Sequence, residues 1–150
     1  MNALSPQQLL ERAELIYTTQ EIEAAIVKLS LEITQKLSHT MPVIICVMGG
    51  GVVFSGQLLT QLHFPLVLDY VHASRYQNAT VGTTLDWKAL PKLDLTDRTV
   101  LLLDDILDEG ITLKAIKEQC LVLGAAQVLS AVLVEKELNH IKPLEADFVG

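Results

Sequence analysis

Aromatic side chains are scarce in this chain, 5% of 150 residues, although hydrophobic residues make up 50%. A core drawn from such a composition is aliphatic, built from Leu, Ile, Val and Ala. Cysteine is scarcer still: Cys46 and Cys120 sit inside apolar patterns with no C-x-x-C or metal-ligand spacing. Two reduced, buried thiols are therefore expected rather than a disulfide framework. His39, His63 and His72 show no metal-ligand spacing either, so no structural zinc is expected. Basic residues are outnumbered, 11 Lys and Arg against 18 Asp and Glu, for a net charge of -7 and a pI near 4.9. That deficit excludes a general nucleic-acid binder, which needs a basic footprint to neutralise phosphates. An acidic chain can still hold a phosphorylated small molecule where helix N-termini and Mg²⁺ supply positive potential locally. No apolar run reaches the roughly 18–20 residues of a membrane span. The opening MNALSPQQLLERAEL has no basic n-region followed by an apolar h-region. A cytoplasmic protein without membrane contact is the expectation.

What is present suits one domain over residues 1–150, a size that buries roughly two-thirds of the unfolded surface. Residues 1–40 read as N-terminal helices covering one side of the sheet. Ser5-Pro6 is a helix start with Pro near the first position. Thr18 and Glu21 have the spacing of a capping box, and Ile22, Ala25, Ile26, Leu29 and Ile33 follow at helical intervals to about Leu37. Residues 41–136 read as an α/β core. Val43–Met48 is a continuous apolar run, the pattern of a strand buried on both faces in a parallel sheet. It ends in Gly49-Gly50-Gly51, and Val52–Leu62 looks helical. Leu66–Val71, Thr99–Leu103 and Gln127–Val134 read as further strands, and Ile111–Leu123 as a helix with Gly124 at its C-terminal cap. Residues 74–96 predict a long loop or short hairpin of the kind that tends to be functional. The alternation specifies a mainly parallel central sheet of four or five strands flanked by helices, with ligands at the carboxyl ends of the strands.

The segment Val100–Thr112 falls at such an end. An apolar strand runs into adjacent carboxylates, Asp104 and Asp105, followed by Ile106-Leu107, a short turn at Asp108-Glu109-Gly110, and a helix opening at Ile111-Thr112. Adjacent carboxylates repel, a cost relieved when hydroxyls or a metal complex share them. The turn offers free backbone N–H groups and the positive end of a helix dipole. Gly110 lets the backbone approach a ligand, and the Thr112 hydroxyl adds a donor. A ribose 5-phosphate has hydroxyls and a phosphate at matching ends. The same residues are also compatible with an acidic turn in which Asp108 only caps the helix.

This segment resembles the phosphoribosyl-pyrophosphate signature of type I phosphoribosyltransferases, in the hypoxanthine-guanine branch. The resemblance extends over roughly residues 20–150 in order and spacing. Ile45–Phe54 is similar to the pyrophosphate loop and following helix. Leu68–Val71 with Arg75-Tyr76 and Gly82 is similar to the strand entering the active-site loop. Val132–Lys136 resembles the strand whose terminal lysine contacts the purine, and Asp147–Gly150 a later segment. The resemblance implies transfer of 5-phosphoribosyl from phosphoribosyl pyrophosphate to hypoxanthine or guanine, giving IMP or GMP, with Mg²⁺ and a homodimer or homotetramer. It implies that Asp104 and Asp105 bind the ribose hydroxyls and reach the metal indirectly, through the sugar donor or water. The loop Asp108, Glu109, Gly110, Ile111 and Thr112 would hold the 5-phosphate, with Asp108 the general base. Met48, Gly49, Gly50 and Gly51 would hold pyrophosphate, Lys136 the purine O6, and Arg75-Tyr76 a loop closing over the site.

Three positions depart from the family pattern. Glu109 stands where a small Thr, Ser or Ala is usual, Gly49 where several relatives carry Lys, and His140 where many carry Arg. His140 reads either as an exposed loop residue or as a weak pyrophosphate contact. Residues 137–150 read as the start of a C-terminal segment that the family continues further. These departures leave room for a non-catalytic regulatory protein that only binds phosphoribosyl pyrophosphate, and for a transferase acting on another base. Asp69 reads as a site residue or a strand cap, and Trp87 as a packing anchor or a substrate contact.

Overall fold

The structure is a computed structural model, and it describes residues 4–75 and 85–150. Tyr76 and Gly82 lie outside the described residues.

Two helices come first, α1 (Pro6–Arg12) and α2 (Thr19–Leu37). Both start on reciprocal capping boxes: Gln8 N–H donates to Ser5 Oγ, and Glu21 N–H donates to Thr18 Oγ1 while the N3 side chains accept from the cap N–H groups. The α/β core follows as β1 (Val43–Met48), α3 (Gly51–Leu59), β2 (Val67–Arg75), β3 (Leu85–Ala89), β4 (Thr99–Leu107), α4 (Ile111–Val122), β5 (Gln127–Glu135) and β6 (Phe148–Val149). They form one six-stranded sheet in the order β3-β2-β1-β4-β5-β6, parallel except for the β2–β3 hairpin.

The continuous apolar runs have the expected cause. Along β4, Val100 and Leu102 face one core, with Leu113, Ile116 and Cys120 of α4. Leu101 and Leu103 face the other, with Ile26, Leu29 and Ile33 of α2 and Phe54 and Leu58 of α3. A strand covered on both faces has no polar side to display. Both cysteines are buried and free. Burial pushes the Cys120 thiol up to about 11.

Three expectations need correction. The sheet has six strands rather than four or five: residues 85–89 pair antiparallel with β2, and Phe148–Val149 pairs with Ala131–Val132. β4 does not stop at Leu103 but runs through the acidic pair to Leu107, because β5 continues to pair with it there. Of the two N-terminal helices only α2 covers the sheet; α1 buries no residue, and Leu10 is 76% exposed. Among the described residues, no helix is long and apolar enough to cross a membrane.

Candidate active site

Strand order reverses between β1 and β4, since the chain leaves β1 towards β2 and later returns to the opposite flank. In open α/β sheets the crevice outside that reversal is where ligands bind. Pairing of β1 with β4 ends at Cys46 and Leu103. Beyond it β1 enters the glycine turn, and β4 carries Asp104 and Asp105 onward. A cavity of about 260 Å³ opens there, lined among others by Met48, Gly50, Arg75, Asp104, Asp105, Asp108, Glu109, Gly110 and Thr112.

The glycine turn lies directly against the acidic pair. A β-carbon on Gly50 would stand 2.8 Å from Asp105 Oδ1, and one on Gly51 would stand 2.8 Å from the Leu103 carbonyl oxygen and 3.2 Å from Asp104 Cα. Nothing lies within 4 Å of the equivalent point on Gly49. Gly51 is therefore required by close approach to backbone, Gly50 meets only the movable carboxylate of Asp105, and Gly49 faces open space.

Each carboxylate of the pair accepts from the next backbone N–H: Asp105 N–H to Asp104 Oδ1 at 3.0 Å, and Ile106 N–H to Asp105 Oδ1 at 2.9 Å. Burial, followed by the hydrogen bond and negative charge of Asp105, pushes the Asp104 carboxyl up to about 7. An acid so placed gains from hydroxyl donors or a cation brought by a ligand.

At the loop beyond, Gly110 adopts φ 77 as N-cap of α4, and the first bond into that helix is Lys114 N–H to Gly110 O. The N–H groups at the helix start, which include those of Ile111 and Thr112, lack intrahelical acceptors and form an anion cradle. Arg75, at the end of β2, reaches this loop and donates from Nε to Thr112 Oγ1 at 3.4 Å.

Lys136 follows immediately after β5. Its Nζ lies 3.2 Å from Asp108 Oδ1, with both side chains about half exposed. Outside them is an open hollow of about 500 Å³, lined by Glu135–Leu138, His140–Lys142, Leu144 and Glu145. His140 is neither free nor at the glycine turn: its Nε2 lies 3.2 Å from Glu109 Oε2.

Lys142 escaped notice in the sequence. Its side chain is only 9% exposed. Its Nζ donates to Glu135 Oε1 at 3.0 Å, to the Leu107 carbonyl at 3.5 Å and to the Lys136 carbonyl. It ties the ends of β4 and β5 to Lys136. No local pattern marks it, because every partner lies six or more residues away. Asp69 proves to be structural: its carboxylate accepts from the N–H groups of Tyr70, Lys92 and Leu93 and anchors the chain entering β4. Trp87 is partly buried against the core.

The chain is similar to known proteins over most of its length. The phosphoribosyl transferase domain family matches residues 13–149. A hypoxanthine-guanine phosphoribosyltransferase of Bacillus subtilis is 28% identical over 139 residues, 91% of this chain and 77% of that protein. A hypoxanthine-guanine-xanthine phosphoribosyltransferase of Tritrichomonas foetus is 30% identical over 130 residues, 87% of this chain and 70% of that protein. In fold, the chain superposes on a Bacillus anthracis hypoxanthine-guanine phosphoribosyltransferase with a TM-score of 0.85 at 23% identity, covering 92% of this chain and 82% of that one. The match of the family model to residues 13–149 makes the chain a member of the phosphoribosyl transferase domain family.

Proposed function

We propose that the protein salvages 6-oxopurines, transferring 5-phosphoribosyl from phosphoribosyl pyrophosphate to N9 of hypoxanthine or guanine and releasing pyrophosphate. The observation that carries this reading is one cavity lined by the glycine turn, the acidic pair and the start of α4, with Lys136 held 3.2 Å from Asp108. We assign pyrophosphate to the glycine turn, ribose to the acidic pair, 5-phosphate to the start of α4 and the base to Asp108 with Lys136.

The donor set fits Mg²⁺. Asp104 and Asp105 are hard oxygen ligands, and the half-buried Asp104 lacks a cationic partner among the described residues. They would reach the metal through the donor's ribose hydroxyls or water. Mg²⁺, when bound with the donor, offsets negative charge on the departing pyrophosphate. The chain's own groups do the rest. Backbone N–H groups at Gly49–Gly51 and the start of α3 face the leaving group. Asp104 and Asp105 accept from the ribose hydroxyls and fix the sugar, a positioning effect. The cradle of Glu109, Gly110, Ile111 and Thr112 binds the 5-phosphate through N–H groups and a hydroxyl.

On the base side, Lys136 donates and Asp108 accepts, 3.2 Å apart. Purine O6 and N7 are neighbours on one edge of the base. A 6-oxopurine protonated at N7 presents an acceptor beside a donor, the complement of this pair. Asp108 takes that proton as N9 attacks C1′ of the ribose. Adenine places an amino donor where Lys136 has only donors to offer. Retention of both groups supports catalysis over binding alone.

The homodimer or homotetramer implied by the family resemblance is supported by exposed apolar side chains, Val52 and Val53 on α3 and Leu68 and Tyr70 on β2. Light scattering on the purified protein checks it. For the activity itself, the protein is mixed with Mg²⁺ and phosphoribosyl pyrophosphate and offered hypoxanthine, guanine, xanthine or adenine, with nucleotide formation followed by ultraviolet absorbance. Turnover of hypoxanthine or guanine, with adenine inert, is expected. No turnover of any base by folded, donor-binding protein sinks the proposal.

A further inference from the structure

We infer that His140 is a positioning residue that holds the Glu109 carboxylate away from the phosphate cradle, so that the 5-phosphate of the donor meets N–H groups rather than a third acid. The inference rests on the cradle assignment made above.

Four carboxylates crowd residues 104–109. Asp104 and Asp105 have ribose hydroxyls to accept, and Asp108 faces Lys136. Glu109 has no such task. It follows Asp108 directly and precedes Gly110, so its backbone N–H belongs to the cradle while its side chain carries the same sign as the phosphate that must enter. A phosphate monoester bears about -1.5 to -2 charge at neutral pH, and a carboxylate turned towards it opposes binding.

The structure pairs that side chain with His140. His140 comes from the segment after β5, 31 residues away in sequence, and its Nε2 stands 3.2 Å from Glu109 Oε2. A carboxylate only accepts, so the imidazole N–H donates. Other cations near the site are committed elsewhere: Lys136 to Asp108, Lys142 to Glu135 and the Lys136 carbonyl, and Arg75 to Thr112. Among the described residues, His140 is the sole hydrogen-bond partner of the Glu109 carboxylate. The pair is 59% and 38% exposed, so its effect is modest, and breaking it should change affinity by about three- to tenfold.

Isothermal calorimetry on wild type, His140→Ala, Glu109→Gln and the double variant separates this role from its rivals. The ligands are Mg²⁺-phosphoribosyl pyrophosphate, ribose 5-phosphate and Mg²⁺-pyrophosphate. His140→Ala should weaken the two ligands that carry a 5-phosphate by about three- to tenfold and leave pyrophosphate unchanged. Glu109→Gln should bind them at least as tightly as wild type, and the double variant should return to that level. An unaltered affinity in His140→Ala overturns the inference, as does a loss that persists in the double variant. An equal loss for pyrophosphate overturns it in favour of a direct contact. Failure of the catalytic reading is distinguishable: wild type would then bind the donor without forming nucleotide, while the four affinities still decide the role of His140. Absence of donor binding by wild type would overturn both.

Discussion

The two halves of the cleft are built differently. The proposed sugar-phosphate half comes from two continuous stretches, residues 48–51 and 104–112, each a strand turning into a helix. Backbone pressed against backbone fixes it, with Gly51 set against the Leu103 carbonyl and Asp104 Cα. The proposed base half is assembled from side chains that arrive separately: Lys136 on Asp108, and Lys142 on the ends of β4 and β5. Local chain geometry builds the first half, and long-range side-chain bonds build the second. A substitution in the first should disturb the fold together with the ligand, and one in the second should alter selectivity and rate on an intact fold.

Asp108→Asn gives the largest separation. The side chain is half exposed and its partner in the structure is Lys136, so thermal stability should stay within about 1 °C of wild type, as for other surface changes. Removing a general base should lower kcat by about 10²–10⁴-fold. Full activity of the variant would take the base role from Asp108 and leave it as the ion-pair partner of Lys136.

Asp104→Asn tests the other half through its pH dependence. The folded-state carboxyl is raised from 3.8 to about 7, so between those values the folded protein holds a proton that the unfolded chain has released. The contribution to stability is complete below about 3.8 and is lost as pH rises through 7. Asparagine carries no charge at any of these pH values. In metal-free buffer, the melting temperatures of variant and wild type should therefore lie close together at acid pH, with the variant's advantage growing up to pH 8. At about 1.4 kcal/mol for each pKa unit, the advantage is at most a few kcal/mol. A constant difference across that range would mean that Asp104 ionises freely in the folded protein. The variant should also lose donor affinity, since it gives up half of the acidic pair.

Lys142→Met removes the clamp and leaves the largely buried stem in place. It deprives Glu135 of its partner and leaves the Lys136 carbonyl to find another donor, while the Leu107 carbonyl keeps the Lys136 N–H at 2.9 Å. An expected cost of about 1–3 kcal/mol follows, measured by urea unfolding. The KM for hypoxanthine should rise by several-fold, and the KM for the donor should hardly move. An equal rise in both would show that the two halves are coupled more tightly than their construction suggests.

This contrast also explains what could be read from the sequence. The helix start at Ser5, the capping box at Thr18, the doubly buried strands and the glycine turn are local patterns, and each forms where its residues predict. Asp104, Asp105 and Asp108 sit in one contiguous motif, and the structure brings them together in one cavity. Lys142 and the His140–Glu109 contact depend on how residues 136–147 fold back over β4, and no periodicity encodes that. β6 is two residues long, held partly by Asp147 accepting from Ser130 N–H at 2.8 Å, and is too short to show an alternation. The extension of β4 to Leu107 was hidden by its two acids, which oppose strand propensity locally but lie beside a partner strand that continues.

The smallest effect expected lies within α3, where two glycines share one helix and have opposite surroundings. A methyl group on Gly51 would meet the Leu103 carbonyl at 2.8 Å, backbone that cannot swing aside, whereas one on Gly56 would meet nothing within 4 Å. Gly51→Ala should cost about 1–3 kcal/mol through overpacking and reduce donor affinity, because the strand end it displaces carries Asp104. Gly56→Ala reduces the freedom of the unfolded chain without a clash and should stabilise the protein by about 0.5–1 kcal/mol, with kinetics unchanged. Paired unfolding curves for the two alanines measure how much of the sugar-phosphate half is held by contact rather than by helix propensity. If both variants were stabilised alike, close approach of the glycine turn to the acidic pair could not be what shapes that half.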